Sequence, residues 1–539
     1  MRIRFLSVAV ATVLLGAAAP LPTAAQDAVE AGWAAPPAQA APVSVSSAAP
    51  LAQAAALPVT ASQPTPSHHD PRFDGVRALI QEAIRDDGIA SVAVSVARGG
   101  EFLWEEGFGW ADRERQIRAT AHTPYSLASI SKPITATAIM ILAERGDLDI
   151  ERPANDYLSP TGRIRLFEGR PEEVTVRRVL SHTAGLPLHY QFFYHGADYG
   201  APPSDVSIQR YGVVVHEPGA RYAYSNIGYG VLDRMVEVVS GQSFGDFLQT
   251  EVFTPLGMHR SSLDIRPGLE PYAAARYGDR QELLPFYDFD HPGASAVYAS
   301  AHDLVRFGLF HMGTPLPDQS RILGDDARRA MQRLETPPGS PRGYGLGWIV
   351  ADDHGGYRMF AHSGGMPGVS TQLMMFPDEE VVIAVVTNGM PRRAGRVTDA
   401  IAAALLPDFE VEEPGPGPTA QERDFEPPPE LVGRWEGTIE TYEGSVEVSF
   451  AVRADGDVHV KLDDQLEAVL NNARFDDGVL RGRFAGRIPA PDMVRYPHHV
   501  LIEATLRGDR IFGAATAMSD TDPIHWALSS RLELRRAGR

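Results

Sequence analysis

No cysteine occurs anywhere in the 539 residues. That rules out disulfides, thiolate zinc sites and cysteine nucleophiles together. Basic charge is scarce: 49 Lys and Arg stand against 69 Asp and Glu, a formal net charge of −20. A nucleic-acid partner needs a basic footprint, so none is expected. The acidic balance bears on solubility more than on function. Long apolar runs are missing beyond the N-terminus, so no later stretch is expected to span a bilayer. No His-Glu-x-x-His occurs, and the pairs His68-His69 and His498-His499 each lack a visible third ligand. Neither a metal nor another cofactor is therefore expected.

What is present begins with an export signature. Met1-Arg2-Ile3-Arg4 is a short positive region, Phe5 to Ala19 is apolar, and Thr23-Ala24-Ala25 offers small residues for cleavage before Gln26. The apolar run is short of the ~20 residues a spanning helix needs. Residues 1–25 thus read as the signal peptide of a secreted protein of the bacterial periplasm, which meets the membrane only during export. Residues 26–72, dominated by Ala, Pro, Ser and Val without periodicity, read as a linker.

The length predicts two or more domains. From Asp74, the residues Val76, Leu79, Ile80 and Ile84 recur at helical spacing, and Ser91 to Ala97 alternates with period two. Arg98-Gly99-Gly100 then turns the chain into a return strand from Phe102, which makes a hairpin. A long apolar helix pattern runs to Gly146, and 148–341 reads as mostly helical with Pro- and Gly-rich loops. Strand patterns return at Gly345 to Val350, Ser370 to Phe376 and Val381 to Thr387, before a last helix from Arg392 to Leu405. This order predicts an α+β domain over 73–410: one antiparallel sheet built from both ends of the segment, flanked by helices, with a helical region inserted. Residues 411–429 are a Pro- and Gly-rich linker, and the short alternating runs of 430–539 predict a small β-barrel.

Three polar clusters carry chemistry. Ser129-x-x-Lys132 stands at the head of the long helix, where residues three apart share a face. An amine can take a serine's proton if burial or positive neighbours lower its pKa. Pro133 is tolerable only in a helix's first turn, which fixes Ser129 near the N-terminus. Tyr224-Ser225-Asn226 offers a phenol that an adjacent ammonium can hold deprotonated as a general base, and an amide that can bond a substrate. His362-Ser363-Gly364-Gly365 precedes a strand; its glycines admit a substrate backbone, and its imidazole can bind a carboxylate or assist proton transfer.

Singly, each cluster has an ordinary structural explanation. Together and in this chain order they resemble the serine β-lactamase and penicillin-binding superfamily, in its class C-like branch. That branch includes class C β-lactamases, D-alanyl-D-alanine carboxypeptidases, D-aminopeptidases and related esterases. Leu180-Ser181-His182-Thr183-Ala184-Gly185-Leu186 and Ala361 to Gly368 also look like this family, and the likeness covers about residues 75–406. It implies a β-lactamase-like transpeptidase fold, with Ser129 as acylated nucleophile, Lys132 assisting, and Tyr224 as base or proton shuttle. It further implies that Asn226 orients the substrate and that the N–H groups of Ser129 and Gly365 form the oxyanion hole. Class C β-lactamases usually carry Lys-Thr-Gly where this chain has His362-Ser363-Gly364. The histidine variant looks more like D-aminopeptidases and esterases, since a neutral imidazole holds a carboxylate less firmly than an ammonium. The C-terminal segment resembles the lipocalin-like barrels appended to some D-aminopeptidases; such a barrel either reaches the active site or serves as a stabilising module.

The expected function is therefore a serine hydrolase acting on a small-molecule or peptide substrate, either D-amino-acid peptides or small esters. The alternatives are a β-lactamase or carboxypeptidase, and a penicillin-binding sensor or inactive scaffold. Gly241-Gln242-Ser243-Phe244-Gly245 mimics a nucleophile elbow, but helical spacing precedes it, so Ser243 is expected to be an N-cap. Ser181-His182-Thr183 is expected to tie a loop rather than react.

Overall fold

The computed structural model describes residues 69–166, 171–265, 268–340, 343–390, 393–411, 425–521 and 524–538. The signal segment, almost all of the first linker and most of the second lie outside these. The described residues pack as one compact unit.

A seven-stranded sheet is its frame, in the order 117–118, 101–112, 91–98, 381–387, 369–376, 357–366, 349–354. The two ends of the segment meet at its centre, where Val92 to Arg98 pair antiparallel with Thr387 to Val381. The period-two pattern of Ser91–Arg98 sorts its residues by face. Val92, Val94 and Val96 enter a core with the helices Asp74–Asp86 and Ala394–Leu405. Ala93, Ser95 and Ala97 are equally buried on the other face, where small side chains admit the helix Ala301–Met312. The helical region lies on that second face.

The helix Ser131–Arg145 is buried on every side from Ser131 to Leu142, as expected of a helix that is apolar all round. Its hydroxyls are satisfied internally: Ser131 Oγ donates to the Ala128 carbonyl (2.7 Å), Thr135 Oγ1 to Gly293 (2.7 Å) and Thr137 Oγ1 to Pro133 (2.8 Å). Gly146 ends it in the left-handed region, at φ 81°.

Three expectations need correction. The folded part begins before residue 73, because Asp70 caps the short helical turn Pro71–Phe73 and Phe73 stacks on Trp104 at 4.6 Å. The strand expected at Gly345 to Val350 is instead Ile349–His354. Gly347 has φ +89° and packs against Ala136 and Pro133 of the buried helix, so the chain there follows the helix rather than the sheet. The 148–341 region is also less purely helical than expected. It contains the strand Tyr190–Tyr194, which pairs with Tyr287–Phe289 and, at Trp526 and Ala527, with the C-terminal sheet.

That C-terminal sheet is barrel-like and antiparallel throughout, from Gly433–Glu440 to Ile524–Arg536. It is fastened to the first region by more than strand pairing. Asp492 accepts from Tyr211 Oη (2.7 Å) and Arg210 (2.9 Å), and Ser529 Oγ donates to the Leu188 carbonyl (2.6 Å).

Candidate active site

Ser129 sits in a short 3-10 turn, Ala128–Ile130, that runs directly into the buried helix. Ala128 holds φ +49°, a conformation that costs a non-glycine residue of order 1 kcal/mol. The strain falls on the residue before the serine and aims a half-buried Ser129 out of the core. Ser129 Oγ accepts hydrogen bonds from Tyr224 Oη at 2.8 Å and from Lys132 Nζ at 3.2 Å. The residues of the first two motifs are thus in contact.

Lys132 is wholly buried. Its Nζ also donates to Asn226 Oδ1 (2.8 Å) and the Ala294 carbonyl (3.1 Å), and lies 4.7 Å from the Tyr224 ring centre. Among the described residues no carboxylate lies within ion-pair distance of it. Burial therefore pushes the amine well below the ordinary lysine range, which favours the neutral, proton-accepting form. The composition also singles this residue out. Of the 49 basic residues only Lys132 and Lys461 are lysines. Arginine cannot deprotonate, so these two are the only Lys or Arg side chains able to give up their charge, and of the two only Lys132 is buried.

Tyr224 is held from both sides by one residue. The Ala223 N–H donates to the His182 carbonyl (2.8 Å), and the Ser225 N–H donates to His182 Nδ1 (3.1 Å). The imidazole packs on the Tyr224 ring, 4.5 Å between centres. His182 itself takes φ +59°. It ties a loop, as expected, and the loop it ties is the one that presents the phenol.

Asn226 opens the helix Asn226–Ser240, with Ser225 as its N-cap. It was expected to orient a substrate. At 7 % exposure its amide bridges inward, accepting from Lys132 and donating from Nδ2 to the His189 carbonyl at 2.7 Å. Its first task is to hold the lysine. The same neighbourhood contains an ionic cluster that sequence reading missed. His189 Nε2 lies 3.0 Å and His291 Nδ1 2.6 Å from the Asp290 carboxylate, all three residues fully buried. Burial opposes ionisation of Asp290, but the two histidines outweigh it and hold the carboxyl well below its usual range. The cluster joins the chain at His189, whose carbonyl fixes Asn226, to the chain leading to Ala294, whose carbonyl fixes Lys132. These residues are 101 apart in sequence, with no motif to connect them.

The third motif lies on the strand Tyr357–Met366, beside the turn bearing Ser129. Ser363 and Gly365 are exposed and Gly364 is buried. The placement of His362 differs from that of an exposed carboxylate-binding group. It is 2 % exposed, its Nδ1 bonds the Ser363 carbonyl (2.8 Å), and its Nε2 meets Tyr344 Oη at 3.0 Å. Tyr344, whose hydroxyl burial keeps protonated, packs in turn on His182 at 4.8 Å. His362 thus backs the aromatic group around Tyr224.

Gly364 is required by contact. A Cβ there would stand 2.1 Å from the Leu127 carbonyl oxygen and 2.3 Å from Thr371 Oγ1, which itself donates to that carbonyl at 2.8 Å. Gly364→Ala is expected to force strand and turn apart, at a cost of about 3 kcal/mol. Hydrolysis should fall at least about 100-fold, since a displacement of 1 Å at the reacting groups is enough. Thermal melting and ester turnover of this variant measure both effects.

The decoys resolve simply. Ser243 caps the short helix Phe244–Leu248, accepting from the Asp246 N–H at 3.1 Å, and a helix rather than a strand precedes it. His498 bonds the Tyr496 carbonyl and packs at a tilt against Trp526; His69 pairs with Asp74.

Comparison with known proteins agrees with this architecture. A family model described as Beta-lactamase matches residues 76–407. Penicillin-binding protein 4* of Bacillus subtilis is 29 % identical over 322 residues, 55 % of this chain and 67 % of its own. The crystal structure of SurE with D-Leu superposes with a TM-score of 0.54 at 21 % identity, over 86 % of this chain and 99 % of that one. A class C β-lactamase from Rhodobacter sphaeroides gives 0.50 at 22 % identity, over 61 % of this chain and 97 % of its own. With the family model spanning more than half of its length, this chain belongs to the Beta-lactamase family of serine hydrolases and penicillin-binding proteins.

Proposed function

We propose that the protein is an exported serine hydrolase that cleaves amides or esters of D-amino-acid peptides or small acyl compounds through an acyl-enzyme on Ser129. The observation that carries this reading is the triangle of Ser129, Tyr224 and Lys132, with the amine buried and, among the described residues, without a carboxylate partner. In the first step the Ser129 O–H proton passes to the neutral Lys132 amine or to a deprotonated Tyr224, as Oγ bonds to the substrate carbonyl carbon. The N–H groups of Ser129 and Gly365 take the oxyanion. The proton then goes to the leaving amine or alcohol as its bond to the carbonyl carbon breaks. Water, deprotonated by the same base, releases the acyl group and returns the proton to Oγ.

The D-amino-acid preference is supported by the likeness to SurE, whose structure carries D-Leu, and by the imidazole at position 362. The buried setting of His362 weighs against a site built around a firmly held substrate carboxylate. β-Lactam opening uses the same steps and is the second reading, supported by the resemblance to penicillin-binding protein 4*. A fluorescent β-lactam, a chromogenic ester and a D-alanyl anilide separate the two. Turnover of ester or anilide with at most slow β-lactam labelling supports the first reading; fast β-lactam turnover alone supports the second. In either case Tyr224→Phe is expected to slow acylation about 100-fold or more. A rate near that of wild type would show that the phenol is not needed.

A further inference from the structure

Away from the catalytic groups, the fold brings together three potential ligands that are far apart in sequence. Glu105 lies on the strand Glu101–Asp112, His122 on the loop that follows Arg118, and His302 in the first turn of the helix Ala301–Met312. One ring nitrogen of each histidine and one carboxylate oxygen all lie within 4.8 Å of one another. We propose that Glu105, His122 and His302 form a structural site for a divalent cation of borderline softness, zinc above all.

The donor set is two imidazoles and one carboxylate, which suits zinc and excludes calcium and magnesium as preferred ions. A tetrahedral zinc bound at about 2.0–2.2 Å sets its ligands roughly 3.3–3.6 Å apart, so small side-chain movements close the site. All three residues are half-buried rather than sealed in, which leaves room for a water as fourth ligand. Without an ion, His302 Nδ1 bonds Glu105 Oε1 at 2.8 Å and the two imidazoles stand 4.5 Å apart.

The surroundings hold the ligands in the required orientation. Ser95 Oγ donates to Glu105 Oε1 at 3.1 Å, and Phe102 stacks flat on His302, 4.8 Å and 12° apart. Outer contacts of this kind fix ligand geometry in metal sites. The three ligands supply one negative charge to the ion.

The consequence is local. The His302 N–H already donates to the Ala121 carbonyl at 3.1 Å. A cation would lock the 119–124 loop to both strand and helix. That loop leads straight into Tyr125, Ser126 and the turn bearing Ser129. The ion takes no part in the reaction and serves to fasten the segment that carries the nucleophile.

The test is zinc titration of the chelator-stripped full chain against a chromophoric chelator, with cobalt(II) absorption as a second readout. Wild type should bind one equivalent, give the visible bands of tetrahedral cobalt, and melt at a higher temperature with zinc. His122→Ala and Glu105→Gln should each bind at least about tenfold more weakly and lose the thermal gain. Labelling of Ser129 by an acylating substrate shows that each variant is folded. The absence of stoichiometric binding in wild type would overturn the proposal. So would binding that survives in both variants, since the ion would then belong to another histidine pair such as His68-His69.

Discussion

Ser129→Ala is expected to abolish turnover of every substrate by roughly 10³- to 10⁶-fold, the range lost when a covalent nucleophile is removed. The reason is specific to the position. Ser129 is the oxygen that accepts from both the phenol and the amine, and a half-buried opening beside a strained residue presents it. The fold should survive. Removing the hydroxyl leaves Tyr224 Oη and Lys132 Nζ without one acceptor, a change of about 1 kcal/mol where water can enter. An unaltered melting profile with lost activity places the effect on chemistry. Ester turnover and melting temperature, measured on the same preparation, check both parts.

The second large effect is expected at Lys132. Lys132→Met keeps the volume and removes the amine, and acylation should fall by about 10³-fold or more. The pH dependence follows from the direction of the shift. The amine's pKa in the folded chain lies well below the ordinary lysine value because of burial. Acylation by wild type should therefore rise with pH as the buried amine loses its proton, at a pH below the ordinary lysine range. For stability the unfolded chain binds the proton more tightly than the native one. Unfolding free energy thus gains with pH between the folded-state pKa and the ordinary lysine value, and loses as pH falls through the folded-state pKa. Lys132→Met lacks this group and should lose that part of the slope, with equal or higher stability near neutral pH. Denaturant unfolding across pH, wild type against variant, measures it. A parallel pair of stability curves would show that Lys132 is an ordinary charged lysine.

The parts of this molecule that could be read in advance are those set by local pattern. The alternation of Ser91 to Ala97 gives the central strand, Pro133 places the serine at a helix start, and the patterns at Ser370 to Phe376 and Val381 to Thr387 give the strands found at Val369–Phe376 and Val381–Thr387. Contacts set by distant chain were not legible. Tyr190–Tyr194 lies amid Pro and Gly residues and becomes a strand because Tyr287–Phe289 and, more than 300 residues later, Trp526 and Ala527 supply its partners. The same holds for His189, Asp290 and His291, which look unremarkable singly and become an ionic cluster through folding. The inward setting of His362 was not legible for a related reason. A motif position gives the residue but not its exposure, and Tyr344, which draws the ring inward, belongs to no motif.

The strand Tyr190–Tyr194 also bears on the C-terminal barrel. Its Phe192 and Tyr194 pack with Tyr287, Met366, Val369 and Ala128. The barrel strand that pairs with it, Ile524–Arg536, is thus one layer away from the residues adjoining Ser129 and Gly365. Of the two expected roles, a stabilising module and an influence on the active site, this arrangement provides a physical route for both.

The central claim is that Ser129 carries the acyl group. Brief reaction with the chromogenic ester, an acid quench and peptide mapping by mass spectrometry address it directly. The account predicts a single acyl adduct on the peptide containing Ser129, formed as fast as the ester is cleaved and absent from Ser129→Ala. An adduct on another residue, Ser243 for example, or undiminished turnover in Ser129→Ala, would contradict it.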